Sequence, residues 1–594
     1  MEKDSFAEYM KALSYLNKFF IKYKWKLLLG LFITIGARIF SLFTPQLIGD
    51  STTVIEKYVN GEITDIDVVK DELLLNIGLI IGAALMSAFL TFLMRQTFIV
   101  VSRYIEYDLK NEVFKQYHNL SLNFYKKNRT GDLMNRISDD VSKVRMYAGP
   151  ALMYGVTTLT LFIVVISYMF STAPVLTLYT LIPLPILSFA IYKLSVAINQ
   201  RSNIVQQFLS KLHTFTQESF SGVAVIKSYG IEKMVQSDFT RLSNESKQKN
   251  INLVKVQAFF FPMMILLIGM SNLLVVYIGG SRYMDGQIAN VGVIVEFLLY
   301  VNMLTWPVAS VGWITSMVQR AEASQKRINE FLSEKPEIEN HSDKHRVIKG
   351  DIKFKNVTFT YEDTRITALK NINFHLKQGE TLAIMGKTGS GKSTILELIG
   401  RLYDVQEGEV LIDDEKISAI NLNDLRKSIG YVPQDAFLFS DTIRNNIRFG
   451  CSDATEEEVI EAAKNSAVHS NIINFHKGYD TILGERGITL SGGQKQRISI
   501  ARAIIKNPEI VLFDDCLSAV DTETEEAIFN KLKAISSKKT SILVSHRVSS
   551  AKFADQIIIL DQGEIIQKGT HEELMDQDGY YRNLYQKQLS EKDY

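Results

Sequence analysis

Apolar residues fill the first half of the chain in six long runs, whereas the second half alternates and breaks. Crossing a bilayer takes about 20 mostly apolar residues. Runs of that size fall at residues 27–49, 73–101, 148–168, 174–196, 256–280 and 291–317. Six spans are predicted, with the third and fourth joined by a tight hairpin. In segments 102–147 and 199–255 the apolar residues recur at helical intervals, so the spans are expected to continue beyond the bilayer. Gly131-Asp132 and Ser221-Gly222 are the expected turns at their tips. Periodicity alone leaves each tip either a solvated hairpin or a contact for the second half.

From Gly350 the period changes. Residues 351–361 alternate as a strand, with Ile352, Phe354, Val357 and Phe359 on one face, and 381–385 is a short buried strand. Residues 1–335 are therefore read as a helical six-span transmembrane domain, 336–349 as a linker, and 350–594 as an α/β domain.

Charge orients the membrane half. Lys3, Lys11, Lys18, Lys22, Lys24 and Lys26 precede the first span, whereas Glu56, Glu62, Asp65, Asp67 and Asp71 follow it. The excess of basic residues before the first span places the N-terminus in the cytosol. Six crossings then return the polar half to that side. Residues 1–25 are too charged to be expected as a cleavable signal peptide, and no folded domain is expected among them.

Composition narrows the classes further. The 594 residues carry 66 Lys+Arg against 65 Asp+Glu, and a net charge of +1 gives no bulk attraction to nucleic acid. Cys451 and Cys516 are too few for a disulfide scaffold or a Cys-rich zinc site. Two ionisable residues fall inside spans, Arg38 and Glu296. Glu296 at that depth is expected to face the protein interior or a water-filled cavity, or to pair with Arg38 or another polar group. Phe259, Phe260, Phe261, Met263 and Met264 read either as an adaptable apolar site or as lipid-facing packing.

The polar half carries phosphate chemistry. Gly386-Lys387-Thr388-Gly389-Ser390-Gly391-Lys392-Ser393-Thr394 follows a strand and leads into the helical run 395–402. That is the setting a P-loop requires. Its glycines let backbone N–H groups curl around phosphate oxygens, and the helix N-terminus adds positive potential. Lys392 is expected to reach the β/γ-phosphates of ATP, and the Ser393 hydroxyl to hold Mg²⁺. A second apolar run, 510–513, ends in Asp514-Asp515. Asp514 fits a Mg²⁺-holding carboxylate, and Asp515 stands where a general base or water-orienting group would be.

Between these lies Leu490-Ser491-Gly492-Gly493-Gln494, which resembles the signature sequence of ATP-binding cassette (ABC) proteins. Other elements of that family follow in order. Gln434 resembles the Q-loop, and Gly484-Glu485-Arg486-Gly487 the exporter-specific X-loop. Ser518-Ala519-Val520-Asp521 resembles the D-loop, His546 the switch histidine, and Tyr361 the aromatic that stacks on adenine. The whole layout is similar to a multidrug- or lipid-type half-size ABC exporter.

The resemblance implies an integral protein of a bacterial plasma membrane, with its ATPase domain cytosolic. It implies ATP hydrolysis coupled to export of a drug-like, lipid, peptide or other amphipathic substrate, and a dimer. Ser491, Gly493 and Gln494 would then complete the partner's ATP site, Gln434 would serve both nucleotide and Mg²⁺, and Asp515, Gln434 and His546 would act in hydrolysis. The tips near residues 128–140 and 218–229 resemble the coupling helices of the family, with Glu485 and Arg486 near them or merely in surface ion pairs. The residue after the metal-holding Asp is usually Glu in this family, and here it is Asp515, one methylene shorter. That departure resembles the weakly hydrolysing subunit of a heterodimer; a slow homodimer is the other reading. Alternatives to export are import on the same scaffold, such as metal-chelate uptake, and a non-transport ATPase of the same class.

Overall fold

A computed structural model describes residues 11–484, 487, 490–516, 528, 531 and 539–590. It contains two compact units, Met1–His118 with Gly131–Glu334, and Asn119–Thr130 with Lys335–Tyr594. The expected X-loop residues Glu485 and Arg486, and the expected D-loop at 518–521, lie outside the described residues.

The first unit is helical. Among the described residues, five helices are long and apolar enough to cross a membrane: Lys24–Val59, Ile66–Asn119, Thr130–Thr172, Glu232–Met284 and Gly292–Ser333. Only 6% of the most apolar stretch of Ile66–Asn119 is buried within the chain, so that surface needs lipid or another apolar cover. This helix has 54 residues, about 80 Å at 1.5 Å per residue, well beyond a bilayer's hydrocarbon. The predicted fourth span falls on two helices, Pro174–Leu181 and Pro183–Ser221, joined at Ile182. Pro183 has no N–H to continue the first helix, which explains the break. Lys24–Val59 and Gly292–Ser333 meet backbone to backbone at Gly49 and Gly292, where a Cβ on Gly292 would collide with the Gly49 carbonyl.

One turn beyond that crossing, Glu296 is 6% exposed and accepts a 2.9 Å hydrogen bond from the Tyr300 hydroxyl on its own helix. No ion pair joins it to Arg38 among the described residues. The Phe/Met run does not form one surface: Met264 packs with Ile191, Leu267 and Val308, while Phe259 and Phe261 are exposed.

The helical tips depart in detail from the sequence pattern. Gly131 and Asp132 do not turn; they lie in the first turn of helix Thr130–Asn135. The chain leaves helical geometry instead at Ser121 and Asn128, on either side of α1 (Leu122–Lys127). Gly222 does separate two helices, and the second of these, α2 (Val223–Tyr229), buries no residue.

The second unit holds two sheets. One is antiparallel, in the order β2-β1-β4-β5, from β1 (Ile352–Thr360), β2 (Thr367–Leu376), β4 (Glu407–Ile412) and β5 (Glu415–Lys416). The other runs β10-β9-β3-β8-β7-β6, from β3 (Thr381–Gly386), β6 (Ile429–Val432), β7 (Ile510–Asp514), β8 (Thr540–Val544), β9 (Gln556–Asp561) and β10 (Glu564–Gly569). Four of its five pairings are parallel, and the edge pair β10–β9 is antiparallel. The apolar runs of β3, β7 and β8 are buried, as a parallel sheet covered on both faces requires. Residues 336–349 pack along this unit: Ile348 enters its core and the Arg346 N–H donates to Asp424.

Candidate nucleotide site

Parallel strands β3, β8 and β7 lie side by side, with Ile384 opposite Val544 and Asp514 opposite Val544 in register. Their carboxyl ends therefore open at one edge, the place where ligands bind in open α/β sheets. β3 runs into the phosphate loop and then α3 (Lys392–Ile399). Gly386, at φ +144°, passes so close to the Leu560 carbonyl that a side chain there would clash. Only glycine lets the loop leave the strand in this conformation.

A cavity of about 520 Å³ sits at that edge. Its lining brings together Tyr361, Thr388, Gly389, Gly391, Lys392, Ser393, Thr394, Gln434, Asp514, Asp515 and His546. Each predicted element of this chain's own nucleotide site is thus represented, from five separate stretches of sequence. Gly386 and Lys387 supply the loop's entry: Lys392 Nζ donates to their carbonyl oxygens at 3.1 and 2.7 Å. Burial pushes the Lys392 pKa down, although Asp515 and Asp514 oppose that shift. The Ser390 hydroxyl is buried with no hydrogen-bond partner among the described residues, which fits a site built for further oxygen atoms.

Ser393 Oγ donates a 2.8 Å hydrogen bond to Asp514 Oδ1. Asp514 is 5% exposed at the end of β7, and burial raises its pKa against the opposing pull of Ser393 and Lys392. Burial also raises the pKa of Asp515, with His546 the largest opposing influence. Asp515 adopts φ +43° and its N–H donates to the Val544 carbonyl at 3.1 Å, so its carboxylate is carried at the turn leaving the sheet. A hydroxyl, a carboxylate and the Gln434 amide facing one cavity form a hard oxygen donor set, suited to Mg²⁺ with remaining positions left for water and phosphate.

Several partners escaped the sequence reading. The Tyr361 hydroxyl pairs with Thr394 Oγ1 at 3.0 Å and donates to Glu397 Oε2 at 2.8 Å, both on α3. Its ring meets Phe359 and Tyr403 edge-on, with centroids 4.9 and 5.5 Å apart. Glu397 follows Ser393 by one helical turn, the only trace it leaves in sequence.

The signature stands apart from this cavity. Ser491 caps α4 (Gly492–Ile504): its Oγ accepts from the Gln494 N–H at 3.3 Å, and Gln494 Oε1 accepts from the Ser491 N–H at 3.0 Å. Gln494 thus serves as the return arm of a capping box. Ser491 is exposed, and neither it nor Gly493 lines the cavity around Lys392. The helix N-terminus is presented outward.

Comparison with known proteins agrees with both units. The family described as "ABC transporter transmembrane region" matches residues 27–308, and the family "ABC transporter" matches residues 369–518. The chain is 37% identical to the "Multidrug resistance-like ATP-binding protein MdlA" of Escherichia coli (strain K12), over 82% of each chain. It is 34% identical to the "ATP-dependent lipid A-core flippase" of Syntrophus aciditrophicus (strain SB), covering 82% of this chain and 80% of that protein. A solved bacterial Atm1-family ABC exporter with ATP bound superposes with a TM-score of 0.76 at 26% identity, over 96% of this chain and 98% of the other.

Proposed function

We propose, on the premise that this chain belongs to the ABC transporter family and is an ATP-hydrolysing membrane exporter, that it works as the weakly hydrolysing half of a heterodimer. The observation that carries this reading is Asp515. The cavity around it has its loop, lysine, metal-ligand oxygens and stacking tyrosine, yet its water-orienting carboxylate is one methylene short. A displacement of about 1 Å in a catalytic group can cost on the order of 10²-fold in rate.

Binding and hydrolysis then separate. Lys392 and the loop N–H groups hold phosphate, and Tyr361 offers a ring face to the base. Mg²⁺ bound by Ser393, Asp514 and Gln434 would neutralise phosphate charge. Asp515 and His546 would place the attacking water, Asp515 from too far back. The outward-facing start of α4 supports a different task for Ser491 and Gly493, namely completing the ATP site of a second half-transporter. Closure around two nucleotides would draw the two cassettes together, and hydrolysis would release them.

The basic residues ahead of the first span support a cytosolic N-terminus and cytosolic cassette in a bacterial plasma membrane. The names of the relatives support a hydrophobic or amphipathic cargo, drug-like or lipid, and favour export over import. Helix α2 buries no residue, and Val225 and Tyr229 on it and Phe220 just before it are exposed, which supports a docking role for the second tip. The test is co-purification of the tagged chain at native expression. A second, different half-transporter in stoichiometric amount supports the proposal; recovery of this chain alone as a dimer overturns it.

A further inference from the structure

Helix α1 sits among cassette residues although the sequence places it between two spans. Leu122 packs on the hydrophobic core that both sheets of the cassette share, and Asn123 Nδ2 donates to Glu337 Oε1 at 2.8 Å. One turn on, Lys126 Nζ lies 5.0 Å from the ring centroids of both Tyr361 and Tyr403, and 3.9 Å from Glu397 Oε1. Burial disfavours its charge, but Tyr403 and Glu397 outweigh that, and its pKa stands above an ordinary lysine's. The ammonium group remains a cation at any physiological pH.

Tyr361 lines the nucleotide cavity, and Lys126, 5.0 Å from the same ring's centroid, is not part of that lining. One tyrosine therefore touches both the cavity and the ammonium group. Its hydroxyl is fixed to Thr394 and Glu397 on α3, the helix that begins with Lys392. Ring, phosphate-loop helix and α1 form one bonded cluster.

We propose that Lys126 is a positioning residue for the nucleobase. It holds the Tyr361–Tyr403 ring pair from outside the cavity, so that base occupancy and the seating of segment Asn119–Thr130 stabilise each other. A cation against an aromatic ring is attracted to its electron-rich face, and a ring so anchored presents a fixed surface for a stacked base. Linkage makes the effect reciprocal: whatever α1 contributes to base binding, base binding returns to the docking of α1. Because Asn119–Thr130 is continuous with Ile66–Asn119, the covalent chain passes from a spanning helix to the base platform without a second subunit. This inference rests on the nucleotide-site reading above.

The test uses the full-length protein in lipid nanodiscs with two probes, ATP and inorganic tripolyphosphate, which has phosphates but no base. Lys126→Met keeps the apolar stem and removes the charge; Lys126→Arg keeps the charge; Lys127→Met is a neighbouring-charge control. The expected result is a Kd for ATP about three- to tenfold weaker in Lys126→Met, within the range of one such contact. Tripolyphosphate affinity should be unchanged, Lys126→Arg should restore ATP binding, and Lys127→Met should match wild type. Hydrogen exchange in Asn119–Thr130 should slow on adding ATP to wild type, and not in Lys126→Met. Equal weakening of both probes, or no weakening of either, overturns the proposal. Failure of wild type to bind either probe would instead overturn the nucleotide-site reading itself.

Discussion

Ser393 Oγ and Asp514 Oδ1 are 2.8 Å apart, joined by a hydrogen bond from the first turn of α3 to the last residue of β7. One hundred and twenty residues of chain separate them, and the parallel sheet closes that gap. Both oxygens suit Mg²⁺, so Ser393→Ala is expected to raise the Mg²⁺ concentration needed for half-maximal ATPase about tenfold. A Mg²⁺ titration of the reconstituted transporter checks this. Chelation should abolish turnover in variant and wild type alike.

Lys392→Ala removes the cation that the first turn of α3 holds beside the phosphate loop. Hydrogen bonds to charged groups are worth about 1.5–3 kcal/mol, so ATP affinity should fall by about 10- to 100-fold. Wild-type ATP affinity and wild-type transport in inverted vesicles would together rule out the role given to Lys392.

Stability should depend on pH through Asp514 and Asp515. Both carry pKa values raised by burial, so the folded state binds more protons than the unfolded one above the ordinary carboxylate range. The unfavourable contribution is absent at low pH, grows as pH rises through the folded pKa values, and is complete above them. Asp515→Asn, without nucleotide, should therefore have a higher Tm than wild type at pH 7.5, with the difference shrinking as pH falls toward 4. A difference that grows on acidification would contradict the buried-carboxylate reading.

Much of this was legible because phosphate chemistry needs fixed residue types at short spacing. Gly386 to Thr394 and Asp514-Asp515 could be read directly, since one loop and one strand end carry them. Glu397 and Tyr403 could not: their value lies in meeting Tyr361, and no local spacing encodes that meeting. The first helical tip was misplaced for a related reason. Gly131 looks like a breaker, yet the departures from helix occur at Ser121 and Asn128, where α1 leaves its neighbours to dock Leu122 and Lys126 on the cassette. Apolar content picked out five runs that lie in long apolar helices among the described residues, but it could not register that Pro183 would split the predicted fourth span.

Glu296 is bonded to Tyr300 and not to Arg38, so its charge has no cationic partner among the described residues. A carboxylate at span depth costs about 2.5–3.5 kcal/mol on insertion scales, which argues for a role in return. Glu296→Gln keeps the hydrogen bond from Tyr300 and removes the charge. Transport of cationic amphiphiles should fall several-fold while transport of neutral ones holds. Normal transport of both classes, at unchanged Tm, would make Glu296 incidental.

The division of labour between two nucleotide sites comes down to steady-state ATPase of the purified complex with Asp515→Asn, Asp515→Glu and Ser491→Arg. If the partner's site does the hydrolysis, as proposed, Asp515→Asn should retain most turnover, and Asp515→Glu should raise it by supplying the missing methylene. Ser491→Arg, which blocks the outward-facing start of α4, should abolish most of it. Near-complete loss of activity in Asp515→Asn would contradict this, and would mean two equivalent sites that each depend on Asp515.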